Sequence, residues 1–491
     1  MVMETIQIRL TEEQIEVLQS LVSSGIYPSK SEAVRDAVRK YIRAYETGIQ
    51  ENIETAQKQV ETEIVKVIEE ERKEYQKVKG TIDFYPEEKA MRDLLFSSLR
   101  NTAKKFNFKE IETPAFETLE LLTAKSGEEI KAQIFTLEKR STEQLGLRFD
   151  FTVPAARMFV QKQKELPKPV KWFVIDKAWR YEAPQKGRLR EFYQFSCELL
   201  GSDKPEADAE VIRMAIELYK SMGLTEKDFY VRLNNRKLLV SLLSNIPQEK
   251  INSVLRVVDK VEKLSEKEFS DELKQLSLNE KQIKNIQNIT LLKGKPSEII
   301  QKISLESEAT KTAVDEMTKI IDGLDGYEDF ITLDLSLVRG QDYYTGTVFE
   351  FFDREEKYRA IGGGGRYDNL IELFKGEPCP ATGFGIGLVP TMLLLEEKGL
   401  MPKLELRPDY YVAYFPNVKK EALELVKKLR KNNIVETDLM QRKFGKQMEY
   451  ANSIKAKKLI VIGENEVKER NIKIKDMNTG IETEKKWNEV Q

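Results

Sequence analysis

A run of alternating residues around a turn, from Ala178 to Gly201, constrains the fold more than any other part of this sequence. Two strand-like segments flank the turn at Pro184 to Gly187, which predicts an antiparallel hairpin. Alternate side chains of a strand point to one face, so the second segment should present its even-numbered residues together. Those residues are Arg188, Arg190, Phe192, Gln194, Ser196 and Glu198.

Charge is graded along this hairpin. Arg180, Arg188 and Arg190 lie towards the turn, whereas Gln194 and Glu198 lie deeper, among apolar residues. Guanidinium groups bind phosphates through paired hydrogen bonds, and buried amides and carboxylates bind small polar groups. The stretch therefore predicts a ligand with phosphates at one end and a small polar organic group at the other. A solvated surface hairpin, whose charges serve only solubility, is the alternative.

Composition excludes several kinds of site. The chain has 491 residues, a formal net charge of −2 and no histidine. Catalytic triads and zinc sites built on imidazole are therefore excluded, and no metal site made of protein side chains is expected. The only cysteines, Cys197 and Cys379, form no disulfide framework, and no apolar run approaches a membrane span of about 20 residues. We therefore expect a cytoplasmic protein.

Residues 1 to 45 have the pattern of a small separate unit. Glu4 to Leu10 alternates like a strand, a helix should begin at Thr11, and Ser29 or Ser31 can cap a second helix. One strand and two helices cannot enclose a core, so we expect this unit to dimerise.

The whole of this unit, including its SKSEAVRDAV segment, resembles the ribbon-helix-helix family. In that family two strands pair and enter the DNA major groove. The resemblance implies that Thr5, Gln7 and Arg9 would contact base edges. The alternative is a module that only dimerises, because its acidic and basic residues nearly cancel.

Residues 46 to 79 are strongly charged and contain no proline. Apolar residues recur at spacings of three and four: Ile49, Ile53, Ala56, Val60, Ile64 and Val67. This irregular heptad seam predicts a helical coiled coil that continues from the amino-terminal dimer. A solvated single helix is the alternative.

Residues 80 to 405 carry the elements of one sheet with flanking helices. Helices are predicted from Pro86 to Phe106 and from Asp203 to Gly223. Strands are predicted at Glu110 to Thr113, Gln133 to Leu137, Leu147 to Phe151, Phe229 to Asn234 and Ile331 to Leu337. Asp150 and Thr152 should share a strand face, before a helix that starts near Pro154. Residues 236 to 328 are helical and highly charged, so they should form an insertion.

Residues 408 to 491 alternate between strands and helices. The predicted order is strand YYVAYF, helix Val418 to Lys431, a strand near Val435, helix Lys446 to Lys455, strand KLIVIG and a final strand pair. This alternation is typical of a compact α/β unit with a mainly parallel sheet.

Four segments occur in an order that resembles the histidyl-tRNA synthetase family of class II aminoacyl-tRNA synthetases. They are LRFDFT, the Arg180 to Glu198 stretch, VRGQDYYTGTVFE and GGGGRYD. The resemblance runs from about Gly80 to the carboxyl terminus. It implies an α+β class, in which an antiparallel sheet with flanking helices is followed by an α/β anticodon-binding domain.

The resemblance also suggests domain boundaries. The predicted units are a ribbon-helix-helix-like domain at 1–45, a coiled-coil linker at 46–79, a catalytic domain at 80–235 and 329–405, a helical insertion at 236–328 and an anticodon-binding domain at 406–491. The resemblance implies a homodimer that uses ATP as a substrate and Mg²⁺ as a cofactor. Its expected partners are L-histidine and tRNA(His).

Roles for individual residues follow from the same resemblance. It places Arg180, Glu182 and Arg188 on ATP, with Arg190 as a further phosphate ligand. It puts Asp150, Thr152 and Gln194 around the α-amino group of histidine, and Glu198, Tyr344 and Tyr367 around its imidazole. Arg339 would lie against the carboxylate and the α-phosphate, so Arg180 and Arg339 would be catalytic. The reaction would need no protein base, because the histidine carboxylate itself attacks the α-phosphorus.

Purely structural roles remain open for some of these residues. Asp150 could simply cap a helix, Arg339 could form a structural ion pair, and the two tyrosines could be core aromatics. The glycines at 362 to 365 could be a bulge, although four in succession suggest close backbone approach.

The sequence departs from the family pattern in its third motif. That motif usually ends GLER, with the arginine on the γ-phosphate, whereas here GLVPT places Val389 and Pro390 at those positions. Ala183 and Gln341 are further departures. They leave open a catalytically impaired paralogue that acts as a histidine-sensing regulatory subunit. Residues 1 to 45 leave open a third hypothesis, a DNA-binding transcriptional regulator.

Overall fold

A computed structural model describes residues 10–46, 75–124, 128–140, 142–185, 187–338, 343–402 and 404–490. The chain divides into two compact units, Met1–Val78 and Lys79–Gln491. Within the described residues, no helix is both long and apolar enough to cross a membrane.

The first unit contains the helices Glu12–Ser23 and Lys30–Glu46. The side chain of Thr11 accepts from the backbone of Gln14, whose own side chain accepts from Thr11, so a capping box begins the first helix as predicted. The hydroxyl of Ser29 accepts from Glu32 N at 3.3 Å and caps the second. Of the hydrophobic residues described in this unit, only Ala33 is fully buried. The predicted dimer therefore stays a prediction, motivated by helices that enclose almost no core.

Two of the predictions for this part of the chain lie outside the described residues. They are the strand from Glu4, together with Thr5, Gln7 and Arg9, and nearly all of the coiled coil over 46–79.

The second unit contains sixteen strands among its described residues. They are β1 (Lys109–Glu110), β2 (Phe116–Thr118), β3 (Leu145–Leu147), β4 (Val170–Trp179), β5 (Glu191–Leu200), β6 (Phe229–Asn235), β7 (Lys293–Gly294), β8 (Ile331–Asp334), β9 (Thr347–Asp353), β10 (Gly362–Arg366), β11 (Ala381–Gly387), β12 (Tyr410–Tyr414), β13 (Val435–Thr437), β14 (Lys458–Ile462), β15 (Asn471–Asp476) and β16 (Glu482–Lys486).

Its helices flank these strands. The α-helices are Pro86–Lys105, Leu119–Thr123, Glu128–Lys131, Thr152–Lys162, Pro205–Ser221, Arg236–Leu242, Gln248–Val258, Glu266–Gln275, Glu280–Thr290, Pro296–Lys302, Glu308–Asp322, Leu370–Leu373, Leu388–Glu397, Lys419–Leu429, Phe444–Ser453 and Glu464–Glu469, and the 3-10 helices are Val261–Lys263, Glu328–Phe330 and Pro416–Val418.

The main sheet has nine strands in the order β1-β4-β5-β11-β10-β9-β6-β8-β7. All neighbouring strands are antiparallel except the pairs β1–β4 and β6–β8. The predicted α+β class, with an antiparallel sheet and flanking helices, is confirmed. Strand β7 comes from within residues 236–328, so this otherwise helical stretch also extends the edge of the sheet.

The hairpin predicted from the sequence is the pair β4–β5, which is paired from Val170–Leu200 to Trp179–Glu191. The prediction that Arg188 and Arg190 share a strand face was wrong, because both lie in the loop before β5. Arg190 O accepts from Arg180 N at 2.9 Å within the hairpin, but Arg190 N donates to Gly80 O at 2.8 Å, outside it. Gly187 has φ +81°, which turns the chain back within the loop.

The two faces of β5 differ as the alternation predicts. Phe195, Cys197 and Leu199 belong to the main hydrophobic core, against helices Pro86–Lys105 and Pro205–Ser221. The rings of Phe173 and Phe195 stack with centroids 5.5 Å apart. The opposite face of β5, with Gln194 and Ser196, is left for a cleft.

Several predicted strands are shorter or absent. Only Lys109–Glu110 forms a strand where Glu110 to Thr113 was predicted, and 133–137 makes a single bridge from Thr136. Asp150 and Thr152 do not share a strand face, because a helix begins at Thr152. The alternation of buried Phe149 and Phe151 arises from core packing, and the segment that contains them pairs with no strand beyond Leu147.

The carboxyl-terminal sheet has five strands in the order β13-β12-β14-β15-β16. Strands β13, β12 and β14 are parallel, and β15 and β16 add antiparallel strands. The predicted α/β unit is confirmed. Its second helix begins at Phe444, two residues before the predicted start.

Candidate active site

A cleft of about 770 Å³ lies over the middle of the main sheet. Strands β5, β9, β10 and β11, the loop between β4 and β5, and the start of helix Leu388–Glu397 all contribute to its lining. Eight residues predicted for the site line it together: Asp150, Thr152, Arg180, Glu182, Arg188, Gln194, Tyr344 and Tyr367.

The floor of the cleft is made of glycine backbone. In the pairing of β11 with β5, Gly383, Gly385 and Gly387 lie opposite Glu198, Ser196 and Gln194. A Cβ atom on Gly385 would lie 2.7 Å from Gln194 Nε2, and one on Gly383 would lie 2.5 Å from Glu198 Oε2. At Gly383 the added atom would also lie 2.3 Å from the backbone oxygen of Cys197, so this position requires glycine, whereas at Gly385 the flexible Gln194 side chain would have to shift.

The deep end of the cleft contains a carboxylate and a cluster of tyrosines. Glu198 is 5 % exposed, and Tyr344 and Tyr367 are also buried. The Tyr343 ring lies 4.7 Å from that of Tyr344 and 5.8 Å from that of Tyr367. The Tyr367 hydroxyl is buried and has no hydrogen-bond partner among the described residues. A polar ligand that reached this hydroxyl would satisfy it.

Arg180 sits between the deep end and the turn. Its Nε donates to Phe149 O at 3.0 Å, and its guanidinium lies 5.1 Å from the centre of the Phe192 ring. Burial lowers the pKa of Arg180, while the carboxylates of Asp150 and Glu182 act in the opposite direction. An arginine stays protonated under such opposing influences, so it presents a fixed positive charge to the cleft.

The turn end carries an ion pair. Arg188 Nη1 lies 2.6 Å from Glu182 Oε2, with side chains 45 % and 14 % exposed. Arg190 does not line the cleft. Its Nε donates to Glu182 O at 3.1 Å, and its guanidinium lies 4.3 Å from the centre of the Tyr181 ring. Arg190 therefore braces the loop that carries Arg188.

Asp150, Thr152 and Gln194 face the cleft between these ends. Asp150 Oδ1 accepts from Val153 N at 3.4 Å, so the carboxylate also supports the start of helix Thr152–Lys162. Gln194 Nε2 donates to Ser196 Oγ at 2.6 Å, which fixes the amide towards the glycine floor.

Some predicted residues do not line the cleft, and some lining residues were not predicted. Glu198 lies on the cleft side of β5 with its carboxylate against Gly383, but it is not one of the residues that line the cleft. Arg339 lies outside the described residues. Tyr343 and Glu350 line the cleft although sequence reasoning did not select them. Glycine occupies every second position at the end of ATGFGIG, residues 381–387. This pattern could have predicted a floor without side chains.

The comparisons with known proteins agree along the chain. Residues 80–390 match the family described as histidyl-tRNA synthetase, residues 410–490 match an anticodon binding domain, and residues 4–45 match the ribbon-helix-helix protein, copG family.

Similar curated proteins come from archaea. The histidine–tRNA ligase of Pyrococcus furiosus is 39% identical over 422 residues, which cover 84% of this chain and 97% of that protein. The histidine–tRNA ligase of Haloarcula marismortui is 37% identical over 411 residues, which cover 83% of this chain and 94% of that protein.

Solved structures give the same picture. The histidyl-tRNA synthetase of Nostoc sp. PCC 7120 superposes with a TM-score of 0.71 at 26% identity, covering 84% of this chain and 97% of that one. A Bacillus halodurans protein, titled ATP phosphoribosyltransferase regulatory subunit/histidyl-tRNA synthetase, superposes with a TM-score of 0.67 at 27% identity and covers 79% of this chain and 98% of that one.

Proposed function

This chain belongs to the histidyl-tRNA synthetase family, and we propose that its cleft holds histidine at the Glu198 end and ATP at the Arg188 end. Its activity is that of a histidine–tRNA ligase, which uses ATP and binds histidine and tRNA. One observation carries the assignment of the two ends. A single glycine floor separates buried carboxylate and phenol groups from a turn that carries arginines.

In the first step, the histidine carboxylate oxygen attacks the α-phosphorus of ATP. A bond forms between that oxygen and phosphorus, and the bond from the α-phosphorus to the bridging oxygen breaks, so pyrophosphate leaves. No proton has to be removed by the protein. Catalysis then consists of positioning and of stabilising the charge on the phosphate oxygens.

We assign charge stabilisation to the arginines. Arg180 is held by Phe149 O and by the ring of Phe192, so its guanidinium is already in place before ATP binds. Arg188 would contact the pyrophosphate end, and Glu182 would hold Arg188 in position. Arg339 keeps its proposed role against the carboxylate and the α-phosphate. Arg190 would affect ATP binding only indirectly, by holding the loop that carries Arg188.

The histidine end would be read by hydrogen bonds. Glu198 and Tyr344 would bind the imidazole nitrogens, and the buried Tyr367 hydroxyl offers a further partner. Asp150, Thr152 and Gln194 would surround the α-amino group. A site built on buried polar groups rejects analogues that leave those groups unpaired.

We propose that Mg²⁺ enters together with ATP. Within the described ranges, no group of three or more Asp, Glu, Cys or His side chains could hold a metal ion. Mg²⁺ bound with nucleotides takes one or two carboxylates and keeps phosphate and water oxygens. Glu350 lines the cleft and is suited to supply one such oxygen. When bound, the ion would neutralise charge on the phosphates.

Transfer to tRNA(His) would follow in the same cleft. Residues 410–490 match an anticodon binding domain and would contact the anticodon. We retain 80–235 with 329–405 as the catalytic domain, 236–328 as the insertion and 406–491 as the anticodon-binding domain. We place the protein in the cytoplasm, where tRNA is charged and where its two buried free cysteines stay reduced.

We also propose that the protein is a homodimer. The first unit has helices with almost no core of their own, which supports pairing of two copies. Light scattering of the full chain and of a chain beginning at Lys79 would test this. A monomeric mass for the full chain would contradict the homodimer. The same number of subunits in both proteins would show that residues 1–78 do not contribute to assembly.

DNA binding through residues 1–45 is a second candidate function. It is favoured by the match of residues 4–45 to a ribbon-helix-helix family. A mobility-shift assay on the gene's own upstream DNA would test it, with Arg9→Ala as the variant and exposed Arg39→Ala on the second helix as control. Binding unchanged by Arg9→Ala would contradict base contact by the strand.

The main proposal is tested by histidine-dependent exchange of labelled pyrophosphate into ATP. Exchange should require histidine and Mg²⁺, and charging of tRNA(His) should follow when tRNA is added. A folded protein that binds histidine but shows no exchange would instead support the regulatory paralogue.

A further inference from the structure

The cleft contains more positive charge than the family motifs account for. The described cationic side chains in its lining are Arg180, Arg188, Lys263, Lys357 and Arg359. Of these, only Arg180 and Arg188 belong to the hairpin.

Two of these five charges, those of Arg188 and Lys357, are already compensated by ion pairs. Arg188 is paired with Glu182 at 2.6 Å. Lys357 lies 2.6 Å from Glu397 and 2.7 Å from Glu355. Arg359, by contrast, is exposed, and its guanidinium takes part in no hydrogen bond, ion pair or ring contact among the described residues.

The backbone that carries Arg359 is nevertheless held on both sides. Before it, the carboxylate of Asp353 accepts from Lys357 N at 2.9 Å and from Tyr358 N at 3.1 Å. The Tyr358 hydroxyl donates to Glu397 at 3.0 Å. After it, Ile361 N donates to Phe351 O at 2.8 Å. Arg359 is therefore an uncommitted guanidinium on a fixed segment, which is the arrangement expected of a preorganised ligand group.

The sheet register places this segment next to the nucleotide end of the cleft. Strand β10 pairs Gly362 with Ile386, and Gly387 N donates to Ile361 O at 3.3 Å. Gly387 is the last residue of β11, and helix Leu388–Glu397 begins directly after it. At the other end of this helix, Lys357 Nζ and the Tyr358 hydroxyl both donate to Glu397, so the segment from Lys357 to Ile361 is attached to both ends of the helix.

Arg359 therefore lies beside helix Leu388–Glu397 and lines the cleft together with Val389, Phe192 and Arg188. The side chains of Val389 and its neighbour Pro390 line the cleft there and offer a phosphate neither a charge nor a hydrogen-bond donor. A triphosphate that reached Val389 and Pro390 would find a side-chain donor on the neighbouring segment, at Arg359.

We propose that Arg359 is a phosphate-binding residue for the pyrophosphate half of ATP, which it contacts from the β9–β10 loop. This inference rests on the proposed function of the cleft. ATP brings about four negative charges, and arginine binds phosphate oxygens through two parallel N–H donors. Arg359 would then share the leaving pyrophosphate with Arg188, which also lines the cleft.

The test is pyrophosphate exchange by the full-length chain, with Arg359→Ala and Arg359→Lys. We expect Arg359→Ala to raise the KM for ATP by about 10- to 100-fold, the effect of losing one charge-assisted contact. The KM for histidine should change less than about twofold, since histidine binds at the other end. Arg359→Lys should recover part of the ATP affinity, because it restores charge but not the paired donors.

The matched control is Arg140→Ala. Arg140 is an 86 % exposed arginine outside the cleft lining, so this variant removes the same charge from the whole protein. It should leave both KM values unchanged. A thermal melt should give nearly the same Tm for Arg359→Ala and wild type, because the lost side chain makes no hydrogen bond, ion pair or ring contact among the described residues.

Three results would overturn the inference. The first is an ATP KM unchanged in Arg359→Ala while the wild type exchanges pyrophosphate. The second is an equal rise of the KM for ATP in Arg140→Ala, which would indicate a general charge effect. The third is normal exchange with a raised KM for tRNA, which would place the guanidinium on tRNA phosphate. A folded wild type without exchange would instead contradict the proposed function, and the inference with it.

Discussion

The guanidinium of Arg366 and the carboxylate of Asp208 form an ion pair of 2.8 Å in which both side chains are almost fully buried. Arg366 ends the glycine strand β10, and Asp208 belongs to helix Pro205–Ser221 beneath the sheet. Arg366 Nη1 also donates to Ser202 O at 2.8 Å. The pair therefore fastens the floor of the cleft to the helix that supports it.

Asp208→Asn should destabilise the second unit, because it leaves the Arg366 guanidinium buried without its main counter-charge. Breaking one partner of a buried pair costs about 3–5 kcal/mol. Urea unfolding followed by tryptophan fluorescence would measure the change. Asp203→Asn, at a carboxylate whose side chain is 66 % exposed, is the control and should change stability by less than about 1 kcal/mol.

Glu198→Gln should weaken histidine binding and leave ATP binding nearly intact. The amide keeps the shape of the side chain but removes the negative charge that would hold an imidazole N–H. We expect the KM for histidine to rise at least about 10-fold in pyrophosphate exchange. Glu191→Gln is the control on the same strand, since Glu191 pairs with Lys177 at 2.6 Å and does not line the cleft. A change in the ATP KM alone would contradict the assignment.

Arg188→Ala should raise the ATP requirement sharply while histidine binding changes little. The reason is the position of Arg188 at the turn, far along the floor from Glu198. Arg190→Ala is the matched control, because Arg190 lies in the same loop but outside the lining. It should lower the Tm more than it raises the ATP KM. Equal losses of ATP and histidine affinity in Arg188→Ala would disprove the division of the cleft.

Gly385→Ala should impair histidine binding through a steric effect alone. The added Cβ would lie 2.7 Å from Gln194 Nε2, so the amide must move from its bond to Ser196. Gly445→Ala is the control, because a Cβ at Gly445 has nothing within 4 Å. Exchange kinetics would show a raised histidine KM for the first variant only. Wild-type kinetics in both would mean that the floor tolerates a methyl group.

Local periodicity was sufficient for part of this site. The alternation of β5 correctly placed Gln194 and Ser196 on a face opposite Phe195 and Cys197, because a period of two is a property of the strand itself. It failed at Arg190, whose backbone bonds to Gly80 in a contact between distant parts of the chain. It also failed at Thr152, where helix formation ended the strand pattern.

Non-local pairing explains what the sequence could not provide. Strand β11 lies between β5 and β10 although a helical insertion and several strands separate β5 from it in the chain. That neighbourhood brings Gly383 opposite Glu198, and it brings Arg359 and Phe192 into the lining of one cleft. No local signal identified Glu350 or Arg359 as cleft residues, because each is one charged residue among many until the register is known.

The glycine floor limits how this enzyme can change in evolution. Any mutation of the Gly383 or Gly385 codon that alters the amino acid introduces a Cβ atom, which would meet Glu198 or Gln194 at 2.5 or 2.7 Å. Gly383 is the more constrained of the two, because its Cβ would also lie 2.3 Å from the backbone oxygen of Cys197, whereas a change at Gly385 requires a matching shift of the Gln194 side chain. A lineage that drifted towards another amino acid would have to do so through the side chains around the floor, and those residues are where the divergence of specificity should be sought.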